Sequence, residues 1–206
     1  MKLTGDYLFE ASQKEVWSAL LDPVVLAAAM PGCEKLELVD GQYVGEIKIK
    51  MGPVQGNFSG KVGLEDKDEP RSFAMRVDGS GAPGFVKAVA KVELESEGSG
   101  TRVRYDADIQ VGGTIASVGQ RLLDASSKAL VKQSLDGLHE NIKIRAAAKS
   151  AAPGSVAHQV TLKQADATAM AAGIAKEVAK SLVPMPVLVG IVIALLALIA
   201  WWVLRR

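Results

Sequence analysis

The chain has 206 residues, with 24 basic and 23 acidic side chains, 49% apolar residues and a single cysteine. Residues 1–148 hold 18 of the 24 basic and 21 of the 23 acidic groups, a net charge of −3, and this mildly acidic portion offers no basic stripe for nucleic acid. The lone Cys33 excludes an internal disulfide and any cysteine-built zinc or iron–sulfur cage, and suits a reducing compartment.

In chain order, Met1 to Asp6 lacks an apolar signal segment, so the folded part is expected to stay in the cytoplasm. Lys2 to Phe9 reads as a strand. Ser12 with Glu15 forms a capping box that opens a helix through Val16, Trp17, Leu20 and Leu21. A second short helix runs from about Asp22 to Met30 and stops at Pro31-Gly32. Residues 42–111 then alternate apolar and polar in five runs, the signature of an antiparallel meander with one dry and one wet face. The dry positions include Tyr43 and Ile47, Phe58, Val62 and Leu64, Phe73, Met75 and Val77, Ala88 and Val92, and Tyr105 and Ile109.

From Gly113 to about Ala147 apolar spacing becomes helical, giving a helix of roughly 50 Å that can cross the whole dry face. The order strand, two helices, five strands, long helix defines an α+β domain: a curved antiparallel sheet wrapped round a long C-terminal helix. Glycine and alanine share the dry face with large residues (Gly45, Gly56, Gly60, Ala88, Ala90, Ala107). Small residues there either let the layers approach closely or leave an apolar void, and both readings stay open.

Beyond the domain (residues 1–148), residues 149–182 read as a flexible or weakly helical linker. Residues 183–204 carry no charge; as a helix they span about 33 Å, enough for a bilayer core. Trp201-Trp202 and Arg205-Arg206 follow as interfacial anchors, so residues 183–206 are expected to be a single-pass transmembrane anchor.

Catalytic signatures are weak. Gly56 to Lys61 (GNFSGK) lacks a residue between its glycines and the Ser/Thr of a phosphate loop, and Gly79 to Gly84 (GSGAPG) lies between strands instead of opening a helix. The Gly79–Gly84 stretch reads instead as a flexible hairpin at the rim of the dry face. His139 and His158 read as solvated, on a surface-helix position and in the linker. The charged residues Glu46, Asp106 and Asp108 fall on the wet face, leaving Tyr43, Tyr105, Ser126 and Gln133 as hydrogen-bonders on the dry one. No metal, no covalent cofactor and no enzymatic activity are expected.

Four segments carry a resemblance: VWSALLDPVVLAAAMPGCEKLE (16–37), GPVQGNFSGKV (52–62), GSGAPGFVKAVAKVEL (79–94) and TRVRYDADIQVGGTIASVGQRLL (101–123). They resemble the G-subunit family of carbon monoxide dehydrogenase, within the START-like, birch-allergen-like helix-grip superfamily. The resemblance implies a helix-grip fold with a hydrophobic cavity and a molybdenum-containing carbon monoxide dehydrogenase, or related hydroxylase, as partner; it brings no catalytic residues.

The expectation is then a membrane-tethered accessory protein on the cytoplasmic face of the bacterial inner membrane. It would carry a lipophilic guest, a respiratory quinone (menaquinone or ubiquinone), between bilayer and enzyme. The expected lining is Phe58, Val62, Met75, Val77, Phe85, Tyr105, Ile109, Val118 and Leu122, with Phe85, Met30 and the Gly79–Gly84 loop at the mouth. Two alternatives stay open: a recruitment adaptor without a ligand, and a cyclase- or hydrolase-type enzyme dependent on Tyr43 or Tyr105.

Overall fold

The computed structural model of the protein describes residues 1–51 and 54–150. Most of the expected linker and the whole apolar segment 183–206 lie outside them, and among the described residues no helix is long and apolar enough to cross a membrane.

Strand β1 (Lys2–Phe9) leads into helix α1 (Gln13–Leu20), opened as expected: the Ser12 amide donates to the Glu15 carboxylate at 3.0 Å. Helix α2 (Pro23–Ala29) starts where Asp22 caps it, accepting from the Val24 and Val25 amides at 2.9 and 3.2 Å. Pro23 sits in the first turn, where a missing N–H is harmless. The same Asp22 carboxylate takes a 2.8 Å hydrogen bond from Arg145 on the last long helix, so one side chain joins two elements. Beyond α2 the chain turns at Gly32 (φ +76°), where a Cβ would fall 2.2 Å from the Lys48 carbonyl oxygen. The Met30-Pro31-Gly32-Cys33 motif is therefore a structural corner; Cys33 is buried, and burial pushes its thiol up, away from the reactive thiolate.

Seven strands follow the order β1-β7-β6-β5-β4-β3-β2, all antiparallel, with β2 Cys33–Val39, β3 Gln42–Met51, β4 Val54–Asp68, β5 Ser72–Gly81, β6 Gly84–Glu97 and β7 Gly100–Gly112. The α+β class and the five-run meander hold. One strand, β2, is additional. It forms an edge, and a register shift between Cys33 and Lys35 breaks the alternation that would have marked it. Leu38 and Val39 stay 54% and 46% exposed, so no dry face showed in its pattern.

Curvature has a local cause. Gly45, Gly60 and Gly79 are register partners across β3, β4 and β5. A Cβ at Gly45 would come within 2.6 Å of the Lys35 carbonyl oxygen, and one at Gly60 within 2.7 Å of that of Asp78. Backbone crowds backbone at these two positions, the kind of glycine kink that lets a sheet bend.

The helix expected from Gly113 arrives in two pieces. Residues Thr114–Val118 form a 3-10 turn; Gly119, at φ +88°, breaks the run, and helix α3 spans Gln120–Ser150. At 31 residues α3 measures about 46 Å and lies along the concave side of the sheet.

Three clusters make the core. The largest joins Phe9, Val16, Trp17, Val25, Phe73, Val92, Leu94 and Val103 to Leu138 and Ile142 of α3. A second gathers Phe58, Ile115, Val118, Leu123 and Leu130, and a third Leu3, Ala90, Ala107, Ile109 and Val131.

Asp22 yields a direct expectation. Partial burial raises its pKa, but hydrogen bonds from Arg145 and the α2 amides outweigh that and hold the carboxyl below the ordinary aspartate range. Its stabilisation is therefore full above the unfolded pKa of about 4 and fades as pH falls through the lower folded value. Asp22→Ala is expected to cost about 1–2 kcal/mol at pH 7, mainly through the lost cap. Asp22→Asn should retain most of the cap and lose the acid-dependent part, which urea unfolding at pH 7 and pH 3 separates.

Candidate ligand-binding hollow

Strand alternation puts one row of side chains across the middle of the concave face: Tyr43, Val62, Val77, Ala88 and Ile109 are successive register partners on β3 to β7. On one side runs Leu64, Met75, Ala90 and Ala107; on the other, the glycine row continues into Val86 and Val111. Val62, Val77, Val86 and Ala88 point toward α3 yet are only half-buried, and among the described residues none packs against any of the three clusters. The clusters surround them. The largest closes the α1–α2 end, the second the α3 N-terminal end, and the third the β1–β7 side. These four residues therefore form an inward apolar face outside the packed clusters, the arrangement expected when a bent sheet faces a straight helix.

Of the nine residues expected to line a pocket, seven belong to this region. Val62 and Val77 are at its centre, Met75, Tyr105 and Ile109 on its β1–β7 flank, and Phe58 and Val118 at the α3 N-terminal end. Leu122 is half-buried on α3 outside the three clusters. Phe85 does not join them. On β6 the inward residues are Val86, Ala88 and Val92, so Phe85 has the parity of Lys87 and stands on the convex face, 42% exposed, its ring across Gly112. The Gly79–Gly84 stretch is no loose loop either. Strands run to Gly81 and from Gly84, and the Pro83 carbonyl accepts from the Ile115 amide at 2.9 Å and the Thr114 hydroxyl at 3.2 Å. Met30 ends α2, half-buried.

The polar groups near the hollow are few. Tyr43 donates to the Leu21 carbonyl at 2.7 Å, tying β3 to the α1–α2 corner. The Tyr105 hydroxyl lies over Gly5 of β1, where a Cβ would come within 2.3 Å of it. Burial raises both phenols. Ser126 is fully buried and its hydroxyl has no hydrogen-bond partner; it sits on α3 between Leu123 and Leu130, both in the cluster at the α3 N-terminal end. Gln133 is half-buried further along α3.

One constellation departs from the expectation. His139, expected to be solvated, has a side chain only 13% exposed, its ring 5.9 Å from Tyr7 and 5.6 Å from Phe9. Tyr7 donates to Asp136 at 2.8 Å, and burial together with that carboxylate holds the phenol protonated far above its ordinary range. This group seals α3 against β1. No local signal marked it: His139 shares a helical face with Asp136 and Lys143 that reads as solvated, and only the approach of Tyr7 and Phe9 on β1 buries it. Among the described residues no cluster of three metal-ligating side chains occurs. Two surface grooves, of about 480 and 400 Å³, lie mainly among charged residues of the convex face, and neither is lined by Val62, Val77, Val86 or Ala88.

A seven-stranded antiparallel sheet closed over by a C-terminal helix is the architecture of START-like proteins. A START superfamily protein from Mycobacterium smegmatis matches it with a TM-score of 0.56 at 12% identity, covering 69% of this chain and 97% of that one. The Zhui aromatase/cyclase from Streptomyces matches at 0.55 and 14% identity, covering 74% and 99%. A conserved protein from Geobacillus kaustophilus is 29% identical, with a TM-score of 0.67 over 69% of this chain and 95% of its own. Residues 5–143 match the family model of the carbon monoxide dehydrogenase G subunit (CoxG), and the chain belongs to that family. No curated protein matches it.

Proposed function

We propose that this protein is an accessory carrier that holds a hydrophobic guest between sheet and α3, and that the guest is a respiratory quinone passed between the bilayer and a molybdenum-containing carbon monoxide dehydrogenase. The observation that carries this reading is the unpacked centre of the concave face. Val62, Val77, Val86 and Ala88 are apolar, face inward and lack the close packing that protein interiors otherwise maintain. An apolar wall with few polar groups selects for shape and hydrophobicity. Family membership supports the partner, and the charge-free segment 183–204 supports the tether, which would raise local concentration at both ends of the route. The occupied Tyr43 hydroxyl and the absence of converging acid and base groups on the described concave face favour a carrier over a cyclase.

The test is organic extraction of the full-length protein, purified in detergent, followed by mass spectrometry. A quinone near one per chain is the expected result. Phospholipid alone, at any stoichiometry, would assign the hollow to a different guest, and repeated recovery of nothing would remove the carrier reading.

A further inference from the structure

Beyond the guest, the charges of the folded domain are arranged by pole. At the end formed by the β5–β6 turn and the start of α3, the exposed positions carry Lys48, Lys50, Lys61, Lys87, Arg121 and Lys128 against Glu34, Glu46, Asp78 and the half-buried Asp124: six cations to four anions. Only Lys87 of these cations is ion-paired among the described residues, to Asp78 at 3.6 Å. The opposite end, where β4 turns into β5 and β6 into β7, holds Glu65, Asp66, Asp68, Glu69, Glu93, Glu95 and Glu97 against Lys67, Arg71, Arg102 and Arg104. Several of those are paired, as in Arg76–Glu65 and Arg104–Glu95. Strand β6 runs the whole way between the poles, about 45 Å.

At the cationic pole stands Phe85, displaced from the hollow by its strand parity and 42% exposed. Its convex-face neighbour Lys87 is about 7 Å along the strand. Lys61 follows two strands over through the Lys61–Asp78 and Asp78–Lys87 register, and Lys48 and Lys50 lie on the adjoining β3–β4 ribbon. Arg121 and Lys128 lie on one face of α3, which reaches the same end because the 3-10 turn before it is bonded to Pro83. The result is one aromatic ring inside an arc of long and mostly unpaired cationic side chains. A stable protein partner would bury about 800 Å² of this face with roughly half of it apolar, whereas Phe85 and Val89 are the large apolar side chains that β6 exposes beside these cations. A bilayer surface asks only for a shallow apolar wedge and cations whose stems can snorkel to the headgroups.

We propose that this pole is a docking surface for anionic lipid, which presents the α3 N-terminal end of the hollow to the headgroups and turns the acidic pole away. The docking is a property of the folded domain and does not depend on residues 183–206 or on the identity of any guest.

Residues 1–150 are suited to the test. All core residues lie between Leu3 and Ile142, and solved relatives consist of this domain over 95–100% of their length, so it folds by itself. The domain is expected to sediment with vesicles of phosphatidylglycerol and phosphatidylcholine, to remain free with phosphatidylcholine alone, and to be released by about 0.5 M salt. Each cation near the surface is worth roughly a fivefold change in partitioning, so the Lys48→Glu/Lys50→Glu double variant should bind roughly 25-fold or more weakly. The Lys14→Glu/Lys67→Glu variant changes net charge equally at the far pole and should stay within about twofold of the parent. Phe85→Trp should show fluorescence quenched by brominated acyl chains. Equal weakening of both double variants would reduce the effect to net charge. Absence of vesicle binding, or self-association that the Lys48/Lys50 changes abolish, would assign the pole to another partner. Any of these results overturns the proposal.

Discussion

Ala88→Trp is expected to leave the domain folded and to abolish guest binding. Ala88 lies in the middle of the row Val62–Val77–Ala88–Ile109, half-buried and not packed against the buried residues of the three clusters. Over-filling a packed core forces side chains off their rotamers and costs about 1–3 kcal/mol. Over-filling a hollow meets no such resistance, so the variant should unfold within about 1 kcal/mol of the parent while occupancy by extracted quinone falls at least tenfold. Urea unfolding and mass spectrometry of the same preparation read both quantities. A loss above about 3 kcal/mol would mean that the concave face is already full. A folded variant with an unchanged guest would place the ligand elsewhere. If the variant is folded and empty yet still supports electron transfer in membranes carrying the dehydrogenase, the protein acts by recruitment alone.

Gly84→Ala should be the most destabilising single-methyl change in the β5–β6 turn. Gly84 adopts φ +136°, and a Cβ there would come within 1.9 Å of the Gly112 carbonyl oxygen and 2.9 Å of its carbon. These are backbone atoms, which cannot rotate aside as a side chain can. Conformational strain of about 1–3 kcal/mol and overpacking of similar size add to about 2–5 kcal/mol, a large part of a domain's stability. Gly98 is the matched comparison: its φ is +60°, but no atom lies within 4 Å of its Cβ position, so Gly98→Ala should show only the conformational part, about 1 kcal/mol. Comparable losses in both variants would mean that the Gly84–Gly112 approach yields easily.

The α1 capping box, the α2 cap at Asp22 and the dry faces of β3 to β7 were all legible because each is a local pattern with a period or spacing. Legibility failed where one residue had to be placed by its neighbours. β2 lost its alternation to a bulge at an edge, where no second face demanded burial. Phe85 looked like a pocket aromatic by composition, but a period-two element has no choice of side: Val86 and Ala88 turn inward, so Phe85 and Lys87 turn out. His139 lies on the flank of α3, and its burial depends on how closely β1 approaches, which no helical spacing encodes.

The amino-acid order by itself determined every element but β2 and the split before α3, together with the apolar character of the inner face, since these follow from backbone preferences and hydrophobic period over a few residues. The proposed hollow belongs to the tertiary structure. It would rest on Gly45 and Gly60, where backbone lies close to backbone of the neighbouring strand, and on Gly119, which starts α3 as a separate helix. Whether two apolar surfaces touch or stand apart depends on their relative curvature, and curvature is settled only when distant strands and the helix are packed together.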